Sequence, residues 1–104
     1  MTAFAAATAA LFADPHLARD ALWRVGGAGD GVPVRVIARR PDRVVDFAGA
    51  RIVSATALFD IRVAEAPGLA EGDTIEIDGE VFVVQGVPQR DAELLVWTVE
   101  TRPA

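Results

Sequence analysis

The chain of 104 residues has no cysteine, lysine, tyrosine or asparagine, a single histidine (His16) and a single serine (Ser54). Without cysteine there is no disulfide framework, no zinc ribbon and no thiol nucleophile, so the redox compartment is left open and an intracellular site is the default. Nothing in the sequence sets a third group beside His16 and Ser54 to complete a nucleophile, base and orienting residue. No apolar run approaches the roughly 18 residues that a membrane span requires. A chain this short buries somewhat over ~60% of its unfolded surface, which is enough for one core and too little for a large enclosed cleft. A cofactor-binding α/β enzyme is excluded on those grounds. We expect a single domain over residues 1–104, with no catalytic residues, cofactor or metal.

Charge is also short of one sign. Ten arginines face fifteen acids for a net charge of -5, with a sequence pI near 4.7. That balance argues against a protein whose main task is free nucleic-acid binding, because such affinity comes largely from phosphate neutralisation. The arginine-only basic set and the abundant alanine follow from high-GC codon usage. The alternative is arginine used for planar recognition of phosphate or carboxylate.

Residues 2–13 (TAFAAATAALFA) are rich in the strongest helix former, and Phe4, Leu11 and Phe12 fall on one helical stripe. This predicts a short amphipathic helix within an N-terminal segment of residues 1–18. It should end near Asp14-Pro15, because a residue before proline is pushed out of the α region. A secretory signal is disfavoured, since no basic residue precedes the apolar stretch.

From Asp20 the period changes to two. Ala21, Trp23 and Val25 alternate, a glycine-rich turn spans residues 26–31, and Val34, Val36 and Ala38 alternate in a second strand that ends at Pro41-Asp42. Residues 43–56 hold Val44, Val45, Phe47, Ile52 and Val53, too many apolar residues for a solvated loop. We read a long hairpin or an arm over residues 41–56 that meets a partner through those five. Residues 58–63 form a strand with Phe59 and Ile61 on one face. Asp78-Gly79 is a type I′ hairpin signal, with Ile77 opposite Glu80 and Ile75 opposite Phe82. A last strand, residues 93–101, carries Leu95, Trp97 and Val99. The expected fold is mainly β: an N-terminal helix followed by a small antiparallel sandwich or barrel of about six to seven strands.

Two clusters invite chemistry. Asp73, Glu76, Asp78 and Glu80 suggest a cation site, yet they straddle the hairpin and Asp78 is already explained by its turn. Arg39, Arg40, Arg43 and Arg51 form the best nucleic-acid feature, but no aromatics are interleaved for stacking. They suit subunit salt bridges or the lining of a DNA channel. Net charge runs -1 over residues 1–18, +3 over 19–62 and -7 over 63–104. If the two larger parts occupy different faces, copies attract one another by complementary potential.

In sequence order, Phe47-Ala48-Gly49 in a long arm, Leu58 to Arg62 (LFDIR), Leu69 to Ile77 (LAEGDTIEI), Glu80 to Val84 (EVFVV) and Trp97 in the closing strand follow one another. Over residues 32–102 that order resembles the head-tail joining proteins of long-tailed phages, the head-completion or stopper class of lambda-like connectors. It also resembles the corresponding protein of gene transfer agents. The resemblance implies a six-fold ring in the particle neck, assembled in the bacterial cytoplasm, between the portal-adaptor complex and the tail terminator. It implies that the arm reaches neighbours or the channel, that the N-terminal segment with Phe4, Leu11 and Phe12 helps docking, that packaged DNA is a non-specific contact, and that no membrane is involved. This chain departs from the lambda-type pattern in its shorter C-terminal tail and Ala-rich helix. A small SH3-like or OB-like barrel that binds nucleic acid or peptide is the alternative reading.

Overall fold

The computed structural model describes residues 3–39, 44–47, 50–53 and 57–104, with residues 44–47 and 50–53 described as backbone. Helix α1 spans Ala3–Ala13. It ends where Asp14 caps the following turn: the Asp14 carboxylate accepts from the His16 backbone N–H at 2.8 Å, and its carbonyl accepts from Ala18 N–H at 2.9 Å. The expected amphipathicity is corrected here. Of the three stripe residues only Phe12 is buried, while Phe4 and Leu11 are 62% and 50% exposed. Alanine fills nearly every other position, so the helix has no polar face for the stripe to oppose.

Strands β1 (Arg19–Arg24), β2 (Val32–Arg39), β5 (Ala57–Arg62), β6 (Thr74–Ile77), β7 (Glu80–Arg90) and β8 (Val96–Pro103) form a closed antiparallel barrel, with β3 (Val44–Phe47) and β4 (Ala50–Val53) between β2 and β5 in sequence. Barrel order is β1-β2-β5-β8-β7-β6, and β6 pairs back onto β1. Closure removes every unpaired edge that a six-stranded open sheet would present. The β6–β7 hairpin has the anticipated register, with Ile77 opposite Glu80 and Ile75 opposite Phe82. Asp78 and Gly79 both have positive φ (51° and 83°), as a type I′ turn demands.

Alternation sends Ala21, Trp23, Val34, Val36, Phe59, Ile61, Ile75, Ile77, Val84 and Val99 into the barrel. Phe59 meets Phe82 edge to face at 5.2 Å. The linker from β5 to β6 closes the far end with Ala66 and Leu69, both buried, and the Trp97 indole holds it by donating to the Ala66 carbonyl at 2.8 Å. Val25, expected to continue β1, lies instead in a single 3₁₀ turn and is 62% exposed. The chain has to leave the barrel there because Gly26 and Gly27 take positive φ.

Asp60, one residue on from the core residue Phe59, is 7% exposed. Arg39 Nε donates to it at 2.7 Å, and Thr98 Oγ1 donates to its other oxygen at 2.9 Å. Arg35 fastens α1 to the barrel. Its guanidinium donates to the carbonyls of Phe12 at 3.0 Å and Ala18 at 3.1 Å, and to Asp20 at 2.8 Å.

Candidate interaction surfaces

Strands β3 and β4 hydrogen-bond to each other and form a sheet separate from the barrel. Their register pairs Val44 with Val53, Val45 with Ile52, Asp46 with Arg51 and Phe47 with Ala50. Residues directly opposite in an antiparallel pair share a face, and faces alternate along each strand. Val45, Phe47, Ala50 and Ile52 therefore belong to one wholly apolar face, and Val44, Asp46, Arg51 and Val53 to the other. An isolated two-stranded hairpin is marginal in water, so one apolar face without a sheet beneath it asks for a cover.

The hairpin emerges from one end of the barrel, between Arg39 of β2 and Ala57 of β5. That end is open. A cleft of about 550 Å³ lies there, with Val36, Ala38, Phe59, Ile77 and Phe82 as its apolar floor and His16, Leu17, Arg19, Asp78 and Glu80 at its rim. Arg19 pairs with Asp78 across the rim at 3.2 Å. Among the described residues Glu80 has no ion pair.

The anticipated anchors Val44, Val45, Phe47, Ile52 and Val53 all fall on this hairpin; their side chains lie outside the described residues. So do residues Arg40 and Arg43, while Arg51 is placed only by its register opposite Asp46. Arg39 is committed within its own chain to Asp60, although its side chain stays 61% exposed. On α1, Phe12 is buried against its own chain and Phe4 and Leu11 face outward.

Of the acidic cluster, Asp73 is committed to the fold. It is 3% exposed, and its carboxylate accepts from Trp23 Nε1, Gly26 N–H and Ala70 N–H, each at 2.9 Å. Glu76 pairs with Arg24 at 3.1 Å. Among the described residues no three His, Asp or Glu side chains gather to hold a metal ion, and no helix is long and apolar enough to cross a membrane.

The barrel order settles where the charge goes. Residues 19–62 supply the adjacent strands β1, β2 and β5, and residues 63–104 supply β8, β7 and β6. Strands β1, β2 and β5 carry a net charge of +3, and strands β6, β7 and β8 a net charge of -1. The other acids of the C-terminal part, Glu65, Glu71, Asp73, Asp78, Asp91 and Glu93, lie in the turns and linkers between strands. The imbalance along the chain thus becomes a basic wall opposite a nearly neutral one, with acidic connections.

The chain is thus a small closed barrel with one basic wall and a separate two-stranded hairpin between β2 and β5. The family model for the phage head-tail attachment protein matches residues 1–101. The chain belongs to that family. No curated protein matches the chain. Family membership assigns it a structural role in joining head and tail in a phage-type particle, with head and tail components as its contacts.

Proposed function

We propose that this head-tail attachment protein acts as a ring in the neck of the particle, between the portal-adaptor complex and the tail terminator. There it completes the filled head and helps retain DNA. The observation that supports the ring is the basic wall formed by β1, β2 and β5, at net +3, on a chain whose connections after Arg62 hold six acids. The basic wall on one copy faces the acidic connections of the next, giving a head-to-tail contact that repeats around an axis and closes if the rotation divides a full turn. Six copies are the expected number, and assembly in the bacterial cytoplasm is the expected setting. The detached hairpin supplies the apolar anchors that such a subunit needs, and the reading asks no catalytic group or cofactor of the chain. Arg39, Arg40, Arg43 and Arg51 are the candidates for subunit ion pairs or contact with DNA backbone. The Ala-rich character fits the gene-transfer-agent version of the family.

Negative-stain microscopy of particles from a producer strain lacking the gene tests this reading, with complementation by the intact gene as the control. Separate heads and normal tails are expected in the deletion strain. Fully joined particles in that strain would remove the connector function and favour a free-standing barrel that binds nucleic acid or peptide.

A further inference from the structure

We infer that Arg62 and the groove beside it receive Asp30, in the loop between β1 and β2, from a second copy of this chain. The inference rests on the ring reading and adds to it a contact between barrels that stand side by side. The first observation is which arginines are already committed. The basic wall holds Arg19, Arg24, Arg35, Arg39 and Arg62. The first four pair within the chain, with Asp78, Glu76, Asp20 and Asp60. Arg62 is half-buried and, among the described residues, has no hydrogen bond or ion pair. Its guanidinium has lost part of its water without gaining an acceptor, so an incoming carboxylate displaces no partner there. The groove beside it holds about 310 Å³ and is lined by Ala5 and Thr8 of α1 with Val63, Leu94 and Leu95. It suits a carboxylate that arrives with aliphatic side chains next to it.

The second observation is which acids are left. Among the described residues Asp30, Glu80 and Glu93 have neither a hydrogen bond nor an ion pair. Glu80 is at the rim of the open mouth, and Glu93 belongs to the turn that supplies Leu94 and Leu95 to the groove itself. Asp30 is exposed, and Val25 and Val32 at the two ends of its loop are 62% and 45% exposed. The loop therefore carries both the charge and the aliphatic groups that the groove calls for. Placement is the third. Barrel order puts β8 three strands from β1 in either direction, so the two lie across the barrel from one another. Strand β2 starts at the loop and is antiparallel to β5, so β5 ends, at Arg62, at the same end of the barrel. Copies arranged side by side about an axis then meet loop to groove. One loop given and one groove filled per copy is a heterologous contact, the type that generates rings.

Charge reversal in full-length chains that replace the native gene in the producer strain tests this. Arg62→Asp alone and Asp30→Arg alone should each lower the amount of the chain on purified heads about tenfold, because like charges then meet at the contact. The Arg62→Asp, Asp30→Arg double variant should recover most of that loss. Wild-type amounts from either single variant would overturn the inference, as would no recovery in a double variant whose purified chain melts as the wild type does. A second measurement does not depend on the folding of those variants. The chain has no cysteine, and Ala28 in the loop and Ala64 at the groove are both exposed. With Ala28→Cys and Ala64→Cys on separate co-expressed chains, a short bis-maleimide added to purified particles should link one chain of each kind. No link when both chains are present would overturn the inference, and so would a link between two Ala64→Cys chains when that variant is expressed alone. Absence of the wild-type chain from purified, joined particles would instead overturn the connector reading.

Discussion

The indole N–H of Trp23 donates to the buried carboxylate of Asp73 at 2.9 Å, joining β1 to the start of β6 across fifty residues of sequence. The same carboxylate accepts from Gly26 and Ala70 N–H groups, so one side chain closes the seam between the two halves at the far end of the barrel. Asp73→Ala leaves one buried and two part-buried donors without an acceptor and should cost about 2 to 3 kcal/mol. Trp23→Phe keeps an aromatic but smaller side chain and loses one bond, at a cost of about 1 to 2 kcal/mol. Urea unfolding of both variants and the double variant measures their coupling. Additive costs would show that the bond contributes nothing of its own.

Glycine is required at two turns for different reasons. A Cβ at Gly79 meets nothing within 4 Å, so Gly79→Ala should cost only the strain of its positive φ, about 1 kcal/mol. At Gly31 φ is also positive, and a Cβ would come within 3.2 Å of Leu22 Cβ. Gly31→Ala should therefore be the more destabilising of the two, as read from urea midpoints.

Of the large apolar side chains on α1, only Phe12 is buried. Phe12 is 3% exposed and Phe4 is 62% exposed. Phe12→Ala should lower stability by about 2 to 3 kcal/mol and expose the segment before residue 19 to protease. Phe4→Ala should change stability by less than about 0.5 kcal/mol, while weakening incorporation into the neck if α1 contacts a partner there.

Phe47→Asp places a charge on the apolar face of a hairpin that does not pair with the barrel. The monomer should melt as the wild type does, and head-tail joining should fail. Circular dichroism of the purified variant and microscopy of the particles check the two halves of that statement. A large loss of monomer stability would put Phe47 in the barrel core.

Contact between the basic wall of one copy and the acidic connections of the next is screened by salt. Because the Debye length falls from about 10 Å at 0.1 M to about 3 Å at 1 M, assembly of the chain onto heads should slow as ionic strength rises. Light scattering of heads mixed with the purified chain follows the rate. A salt-independent rate would assign assembly to the apolar contacts alone.

Local physics wrote much of this fold into the sequence. Alanine content and Asp14-Pro15 set the helix and its end, and Asp78-Gly79 fixed the β6–β7 register before any contact was known, because a type I′ turn permits only that pairing. Alternation marked Trp23, Val36, Ile61, Ile75 and Val99 as core. The apolar stretch over residues 43–56 marked a hairpin. Other features depend on residues far apart in the chain, and no local pattern encodes them. Closure of β6 onto β1 decided that the barrel has no open edge. Asp60 became a buried acceptor only when Arg39 and Thr98 arrived from neighbouring strands, and Asp73 became one only when Trp23 did. A basic part and an acidic part are legible along the chain alone. Only the fold gathers the basic part into one wall, because β1, β2 and β5 become neighbours through long-range pairing, while most acids of the other part fall in the connections.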